Sequence, residues 1–375
     1  MPSRRIEPIP CLALLALPLV SGWSAPASAE TFVVTQVANP AVVDVVGADC
    51  DTEGANDTID VGALCGGTSA PCDGPGISLA EAICAANVTP GPDTIELAPG
   101  ATYEVPCTHN SWYGRNALPI ITSEIVIEGN GARIERVSAG YCRFFFVAGA
   151  CAESQAPTVG QLAPRGHLTL RHLTLANGWV RGGEGRDGGG GGAGLGGAIF
   201  NEGTLDVEGV LFLSNHAEGG HAVYSESHGA GGGLSGRGGN FRVGPLGLSV
   251  GFGGGFGGVN FGDGDFRIGG GFGGCRTSRP SPGFGGGSCT VAPFTHTGET
   301  GGFGGGGAAF RGGGFGGGAG YNGDGGFGGG AGGRPTTGEP VRSGGFAGGA
   351  NDDVLGAGGG GLGGAVFNLR ERCAR

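Results

Sequence analysis

Two stretches decide the fold, "LTLRHLTLANG" at 168–178 and "LDVEGVLFLSN" at 205–215, because they share one apolar pattern. Aligned, the four apolar positions of the first fall on four of the second, Leu168, Leu170, Leu173 and Leu175 on Leu205, Val207, Val210 and Phe212. "IVIEGNGARIE" at 125–135 fits the first half of the same frame. Such a unit cannot bury its apolar side alone, whereas stacked copies form a continuous core. The repeat predicts a parallel β-helix, and an antiparallel sandwich is the alternative because alternation alone does not fix strand direction.

The rest of the N-terminal half supports an all-β chain with one helix. Short β-branched and aromatic runs alternate with turn residues, at 31–38, 94–97, 102–105, 124–129, 132–137 and 143–148. Short strands without helical crossovers are typical of an all-β architecture. The exception is "SLAEAICAAN" at 78–87, which we predict to be a helix that Ser78 caps, with Glu81 in the capping-box position.

The N-terminus predicts export. Arg4 and Arg5 precede a ten-residue apolar run at 11–20, and "APASA" then offers a small-residue cleavage site before Glu30. The run is much shorter than the roughly 20 residues of a spanning helix. We therefore expect residues 1–29 to be a cleaved signal peptide, a secreted or cell-surface protein, and no transmembrane segment in the mature chain.

The cysteine count indicates disulfide bonds, and the charge limits the class of partner. Ten cysteines follow the signal peptide, an even number typical of disulfides in an exported chain, at 50, 65, 72, 84, 107, 142, 151, 275, 289 and 373. Their pairing does not follow from the sequence. All 21 basic residues are Arg and the net charge is −11, which disfavours nucleic acid as a partner. A surface glycan or a protein remains as the expected partner.

One motif pair resembles a known bacterial repeat. Gly196-Gly197-Ala198-Ile199 followed by Phe212-Leu213-Ser214-Asn215 has the form G-G-A-[ILV] then F-x-x-N. This is similar to the repeat of the polymorphic membrane proteins of chlamydiae and related bacterial surface proteins. The resemblance implies a right-handed parallel β-helix of the autotransporter or adhesin type.

A second resemblance covers "ISLAEAICAANVTPGPDTIELAPG" at 77–100, which is similar to the CSLREA domain. Ile77 replaces the leading Cys of that family and Ala80 replaces its Arg, while Cys84 is an addition. In that family the domain lies at the start of bacterial extracellular β-helix proteins. The resemblance therefore implies that the helix caps the N-terminal end of the β-helix. Cys72 or Cys84 would then replace the family's disulfide cysteine.

An acidic stretch gives the candidate metal site. "DCDTEGANDTID" at 49–60 has oxygen-bearing residues at loop positions 1, 3, 5, 9 and 12 and Gly at position 6, as in a calcium loop, namely Asp49, Asp51, Glu53, Asp57 and Asp60. The competing interpretation is a solvated acidic turn. Ca²⁺ is accordingly the only cofactor that the sequence suggests. "FGDGDFRI" at 261–268 is a weaker match to a calcium-binding nonapeptide.

Enzymatic polysaccharide cleavage is the main functional alternative, because many parallel β-helices are lyases or hydrolases. It would need paired carboxylates, or calcium with a basic group. Asp206 and Glu208 lie two apart on one strand, and His167, Arg171 and His172 are nearby, but all fit ordinary outward positions. We expect no catalytic residues.

The glycine-rich tract at 217–360 contains "GFGG" at 251, 255, 271, 283, 302, 314 and 326. The tract has few large apolar side chains, so burying them cannot offset the entropy lost on ordering the chain. It is therefore predicted to be a mostly irregular insertion. Polyglycine helices packed side by side are the alternative, disfavoured by the irregular spacing. A sticky low-complexity matrix segment is a third functional possibility.

These observations give five segments. They are a signal peptide (1–29), an acidic Cys-rich cap (30–93), β-helix coils (94–216), the glycine-rich insertion (217–360) and an incomplete further coil (361–375). "GLGGAVFN" at 361–368 repeats "GLGGAIFN" at 194–201, so we expect a coil that begins and does not finish, as in a truncated or frame-shifted member of a longer family. The predicted function is an exported structural or adhesin-like module without catalysis.

Overall fold

The computed structural model describes residues 29–35, 77–105, 107, 114–149, 165–185, 189–222, 231–234, 304–307, 311–333, 341–350 and 356–369. It also describes the backbone of three short strands at 242–243, 249–252 and 289–291. Most of its regular structure is strand, arranged mainly in parallel sheets, with one helix.

Two parallel sheets share most of the strands, and the chain passes from one to the other. The larger holds, in spatial order, β1 (Thr31–Val33), β2 (Asp93–Glu96), β4 (Glu124–Glu128), β7 (His167–Arg171) and β12 (Thr204–Glu208). The second holds β3 (Thr102–Val105), β5 (Arg133–Arg136), β8 (Thr174–Ala176) and β13 (Leu211–Leu213). We call these two sheets, with the smaller parallel sheets beside them, the stack.

The smaller parallel sheets continue the same layering. They pair β6 (Phe145–Val147) with β11 (Ile199–Asn201) and β19 (Val366–Asn368), β9 (Trp179–Arg181) with β14 (His216–Glu218), and β10 (Gly194–Leu195) with β18 (Gly361–Leu362). The one antiparallel sheet among the described strands joins β15 (Arg242–Val243), β16 (Ser249–Phe252) and β17 (Cys289–Val291).

The register of the stack follows the apolar pattern of the sequence. Leu168 lies beside Leu205 in one direction and beside Ile125 in the other. Leu175 lies beside Phe212, as the alignment of the two stretches predicts. All these pairs are parallel, so the antiparallel sandwich is wrong for this region.

Helix α1 (Leu79–Val88) covers the beginning of the stack. Ser78 caps it, with its hydroxyl accepting from the backbone N–H of Glu81 while the Glu81 carboxylate accepts from the backbone N–H of Ser78. The predicted capping box is therefore confirmed. The helix buries its first eight residues and contacts β1, β2 and β4.

The interior of the stack is filled by aliphatic and phenylalanine side chains, which alternate with outward residues along β4 and β7. Ile125, Ile127, Leu168, Leu170 and Phe145 are fully buried. Fully burying one such side chain stabilises the fold by about 1.5–3 kcal/mol. The Cys107–Cys142 disulfide ties two turns of the stack together, and Cys84 is disulfide-bonded as well.

The two similar octapeptides, at 194–201 and 361–368, lie side by side in adjacent layers. Gly194 pairs with Gly361 and Phe200 with Phe367, both in parallel register, across 167 residues of chain. The Asn201 side-chain amide donates to the Asn368 side-chain oxygen at 2.9 Å. The second copy therefore begins a further layer on the stack, after the long insertion.

The described part of the glycine-rich tract is ordered, so the prediction of an irregular insertion is wrong for these residues. Along 190–194, Gly190 and Ala193 donate their N–H groups to Ala319 and Gly316, and Gly191 and Gly194 donate to Ala357 and Gly360. Gly192 donates to a third neighbour, Gly183. The direction of donation repeats every three residues, which is the period of an extended polyglycine or polyproline II helix.

The carbonyls of the same segment point to three further neighbours. Gly190, Gly191 and Gly192 accept from Gly232, Gly330 and Gly220 respectively, at 2.7–2.9 Å. The segment 190–194 is therefore hydrogen-bonded to six others. We call the array the glycine bundle; it comprises the described residues of 182–193, 219–220, 231–234, 304–333, 341–350 and 356–360.

Close approach of backbones explains the residue type. A Cβ built on Gly191 would lie 1.8 Å from the carbonyl oxygen of Gly220, and one built on Gly359 would lie 2.0 Å from that of Gly192. Alanines occur where a methyl group fits, and Ala193, Ala319 and Ala331 are fully buried. The bundle thus depends on glycine wherever two backbones approach this closely.

A twelve-residue unit builds one side of the bundle. Gly304 donates to Phe315 and Gly316 to Phe327, while Gly307 donates to Gly318 and Ala319 to Gly330, so each bond recurs twelve residues later. The rings of Phe315 and Phe327 stack at 4.8 Å between centroids, and Phe346 follows at 5.3 Å. The phenylalanines of the GFGG motifs at 314 and 326, together with Phe346, therefore form a ladder along one side of the bundle.

Candidate functional site

The predicted calcium loop lies outside the described residues, as does the stretch at 261–268. Asp49, Asp51, Glu53, Asp57 and Asp60 therefore remain a prediction. Among the residues that the structure does describe, no three His, Cys, Asp or Glu side chains are grouped so as to hold a metal ion.

The carboxylates considered for catalysis belong to charge ladders on the outer face of the stack. His167 Nε2 lies 2.8 Å from Asp206 and its Nδ1 lies 3.6 Å from Glu124. Arg171 lies between Glu128, at 2.7 Å, and Glu208, at 3.4 Å.

Each base in these ladders thus joins acids from the strands before and after it. The interpretation as ordinary outward positions accounts for this geometry. His172 lies in the turn between β7 and β8, with a φ of 48°.

A shallow groove lies instead along the turns that follow β5, β8 and β13. It encloses about 530 Å³ and is lined by residues of three successive layers, Arg136, Val137, Ser138, Asn177, Trp179, Ser214 and His216. These residues were not predicted as a site, because they lie in or beside turns that are about 40 residues apart in the sequence. We call this site the Trp179 groove.

The asparagine of the F-x-x-N motif, Asn215, joins two of the turns beside the groove. Asn215 donates to the carbonyl of Leu175 at 2.8 Å and accepts from the N–H of Gly178 at 2.8 Å. It therefore holds the turn of one layer against the turn of the layer before. Asn177 and Ser214 occupy equivalent positions in these two turns, with φ values of 63° and 53°.

Trp179 lies in a cluster of rings at the side of the groove. It packs edge-to-face with Tyr141, at 5.1 Å between centroids, and with His216, at 5.5 Å. The Trp179–His216 contact follows from the parallel register of β9 and β14. The Trp179 Nε1–H is buried and has no hydrogen-bond acceptor within the described part of the chain.

Arg136 brings positive charge to the same place. Its guanidinium lies 5.8 Å from the Trp179 ring centroid and donates to the backbone carbonyls of Asn177, Ser138 and Gly140. Burial lowers the pKa of Arg136, although the group stays protonated at neutral pH.

Arg133, on the same strand as Arg136, differs from it in having a carboxylate partner, Glu135. The Arg133 Nε–H donates to Glu135 at 2.7 Å, and this hydrogen bond is the main reason that the pKa of Glu135 is lowered. The charge of Arg133 is therefore compensated within its own strand. Arg136 forms no ion pair with any described residue.

In the described ranges, no helix is both long and apolar enough to cross a membrane. Comparisons of the chain with models of known protein families, with curated proteins and with solved structures find no match.

Proposed function

We propose that the chain is an exported extracellular or cell-surface protein in which a short right-handed parallel β-helix acts as a structural or adhesin-like module. The observation that carries the proposal is the stack itself, in which successive layers repeat in parallel register. A rigid stack of this kind presents turn residues of several layers side by side, which suits binding to an extended surface.

Two further features support an extracellular setting. The Cys107–Cys142 disulfide, with the disulfide-bonded Cys84, fits an oxidising compartment. The N-terminal apolar run and the small-residue site before Glu30 fit a cleaved signal peptide.

Secretion is tested by expressing the full chain in a bacterial host and sequencing the N-terminus of the exported protein. Glu30 as the first residue is expected, and retention of the chain inside the cell would contradict export. Calcium titration calorimetry of the exported, oxidised protein tests the loop at 49–60, and the absence of heat would remove that site.

Adhesion is tested by measuring retention of the exported protein on intact cells and on immobilised polysaccharides, with simultaneous assay for new reducing or unsaturated sugar ends. Retention without turnover is expected. Turnover would support the polysaccharide-acting enzyme instead. Gelation of the full chain without any retention would support the matrix alternative, which the ordered packing of the described glycine segments makes less favourable.

A further inference from the structure

The Trp179 groove contains a cation without a counter-charge. Arg136 uses its Nε–H and Nη1–H groups for three backbone carbonyls, and none of the ion pairs between described residues includes it. Other arginines of the stack, Arg133, Arg171 and Arg181, each have a carboxylate within 4 Å. A partly desolvated guanidinium gains most from an anionic oxygen acceptor, and its Nη2 group remains for one.

The same groove has a broad apolar ring beside that cation. The indole of Trp179 packs edge-to-face with Tyr141 and His216, which orient it at the side of the groove. The Arg136 guanidinium lies over this ring at 5.8 Å from the centroid, so a sugar would pack its C–H face on the part of the indole that the cation leaves uncovered. The Trp179 N–H has no acceptor among the described residues, so a small movement toward a ligand oxygen would break no hydrogen bond with them.

Polar groups at the rim complete a set suited to hydroxyl-bearing ligands. The Ser138 and Ser214 hydroxyls and the His216 ring line the groove and supply both donors and acceptors. Its volume of about 530 Å³ lies within the range of about 300–1,000 Å³ common for ligand sites. Because the groove follows the turns of successive layers, a chain of linked sugars can extend along it.

We infer that the Trp179 groove binds a carboxylated sugar unit of an acidic polysaccharide, with the carboxylate on Arg136 and the sugar ring on Trp179. This inference rests on the proposed function of a binding module and names the ligand class of that module. The net charge of −11 opposes acidic polymers at long range, but at 0.15 M salt such repulsion is screened beyond about 8 Å. The contact with Arg136 then decides the affinity.

The test uses the exported protein carrying Trp112→Phe, in which Trp179 is the only tryptophan after Glu30. Trigalacturonate is titrated at 0.15 M salt while the tryptophan fluorescence is recorded. Its methyl ester, which keeps the hydroxyls and ring faces but has no charge, is the matched ligand. A hydrogen bond to a charged group contributes about 1.5–3 kcal/mol, so we expect the ester to bind about tenfold or more weakly.

The contributions of Trp179 and Arg136 are tested with single substitutions, and calorimetry measures the affinity of each variant for trigalacturonate. Trp179→Ala is expected to weaken trigalacturonate binding at least tenfold, whereas Trp179→Phe keeps a ring and loses less. Arg136→Gln is expected to make the acid and the ester bind alike. Circular dichroism shows whether each variant stays folded, and the ligand pair with the unaltered chain tests the charge without any mutation.

Several outcomes would overturn the inference. They are equal binding of acid and ester, unchanged binding by Trp179→Ala, equally tight binding of acetate, or tighter binding of adenosine monophosphate than of trigalacturonate. If cell retention persists in Trp179→Ala, the groove is not the binding site while the proposed function stands. If retention is absent from the unaltered chain but trigalacturonate still binds, the proposed function fails and the ligand class stands.

Discussion

The stack and the glycine bundle bury their backbones in opposite ways. In the stack, strands lie in sheets and alternate side chains fill an apolar interior, as Leu168 and Leu170 do. In the bundle, segments approach so closely that a Cβ on Gly191 would lie 1.8 Å from a neighbouring carbonyl oxygen. The first region is stabilised mainly by apolar burial and the second mainly by backbone hydrogen bonds, so they respond to different changes.

The largest expected difference comes from removing a buried ring of the stack. Phe145 is fully buried, so Phe145→Ala is expected to lower the free energy of unfolding by about 3–5 kcal/mol. The control is Phe346→Ala in the bundle, where the ring is 71% exposed and the loss should stay below about 1 kcal/mol. Urea denaturation of the oxidised proteins measures both, and equal losses would remove the distinction.

The disulfide is expected to act on the stack alone. Cys107–Cys142 spans 35 residues, a loop for which cross-linking contributes about 3–4 kcal/mol through the unfolded chain. In a Cys107→Ser, Cys142→Ser chain, amide exchange should accelerate in β3, β5 and β6. Amides of 316–330 should exchange as before, and a matching acceleration there would show that both regions unfold together.

Two adjacent glycines test the bundle. A Cβ on Gly359 would lie 2.0 Å from the carbonyl oxygen of Gly192, whereas one on Gly358 would meet nothing closer than 3.6 Å. Gly359→Ala is therefore expected to cost about 1–3 kcal/mol, and Gly358→Ala less than about 0.5 kcal/mol. Amide exchange of 190–194 reads out both variants, and indistinguishable protection would mean that the segments are not closely packed.

The smallest expected effect is on acid stability. The pKa of Glu135 is lowered by its hydrogen bond from Arg133, so the folded state holds this carboxyl ionised more strongly than the unfolded chain does. That stability is complete above the usual pKa of about 4.5 and is lost as the pH falls through the lowered value.

Glu135→Gln is accordingly expected to cost less than about 1 kcal/mol at pH 7, because the pair is partly exposed, and to cost less at about pH 2 than at pH 7. The matched control is Glu96→Gln, a change at an exposed glutamate of β2. Thermal melts at the two pH values compare the variants. A loss from Glu135→Gln that is the same at both would contradict the assigned cause.

The sequence predicts the stack well because its contacts are made by side chains. The register of Leu168 with Leu205, the cap by Ser78 and the pairing of the two octapeptides all follow from residue patterns. The packing of the bundle could not be predicted from the sequence, because its contacts join backbone groups, and these are the same in every glycine. The Trp179 groove escapes because Arg136, Trp179 and His216 come from three layers, and only the register of β5, β8, β9 and β14 brings them together.

The twelve-residue recurrence of hydrogen bonds has a consequence for how the gene can change. Gly304, Gly316 and Gly328 occupy the same place in successive units, each with a φ of 73–74°. An in-frame duplication or deletion of twelve codons within 304–328 keeps each donor facing an acceptor. The next acceptor, Phe346, lies nineteen residues after Phe327, so the chain between these two layers also accommodates a longer connection. Length differences between allelic variants within 304–328 should therefore be multiples of twelve residues.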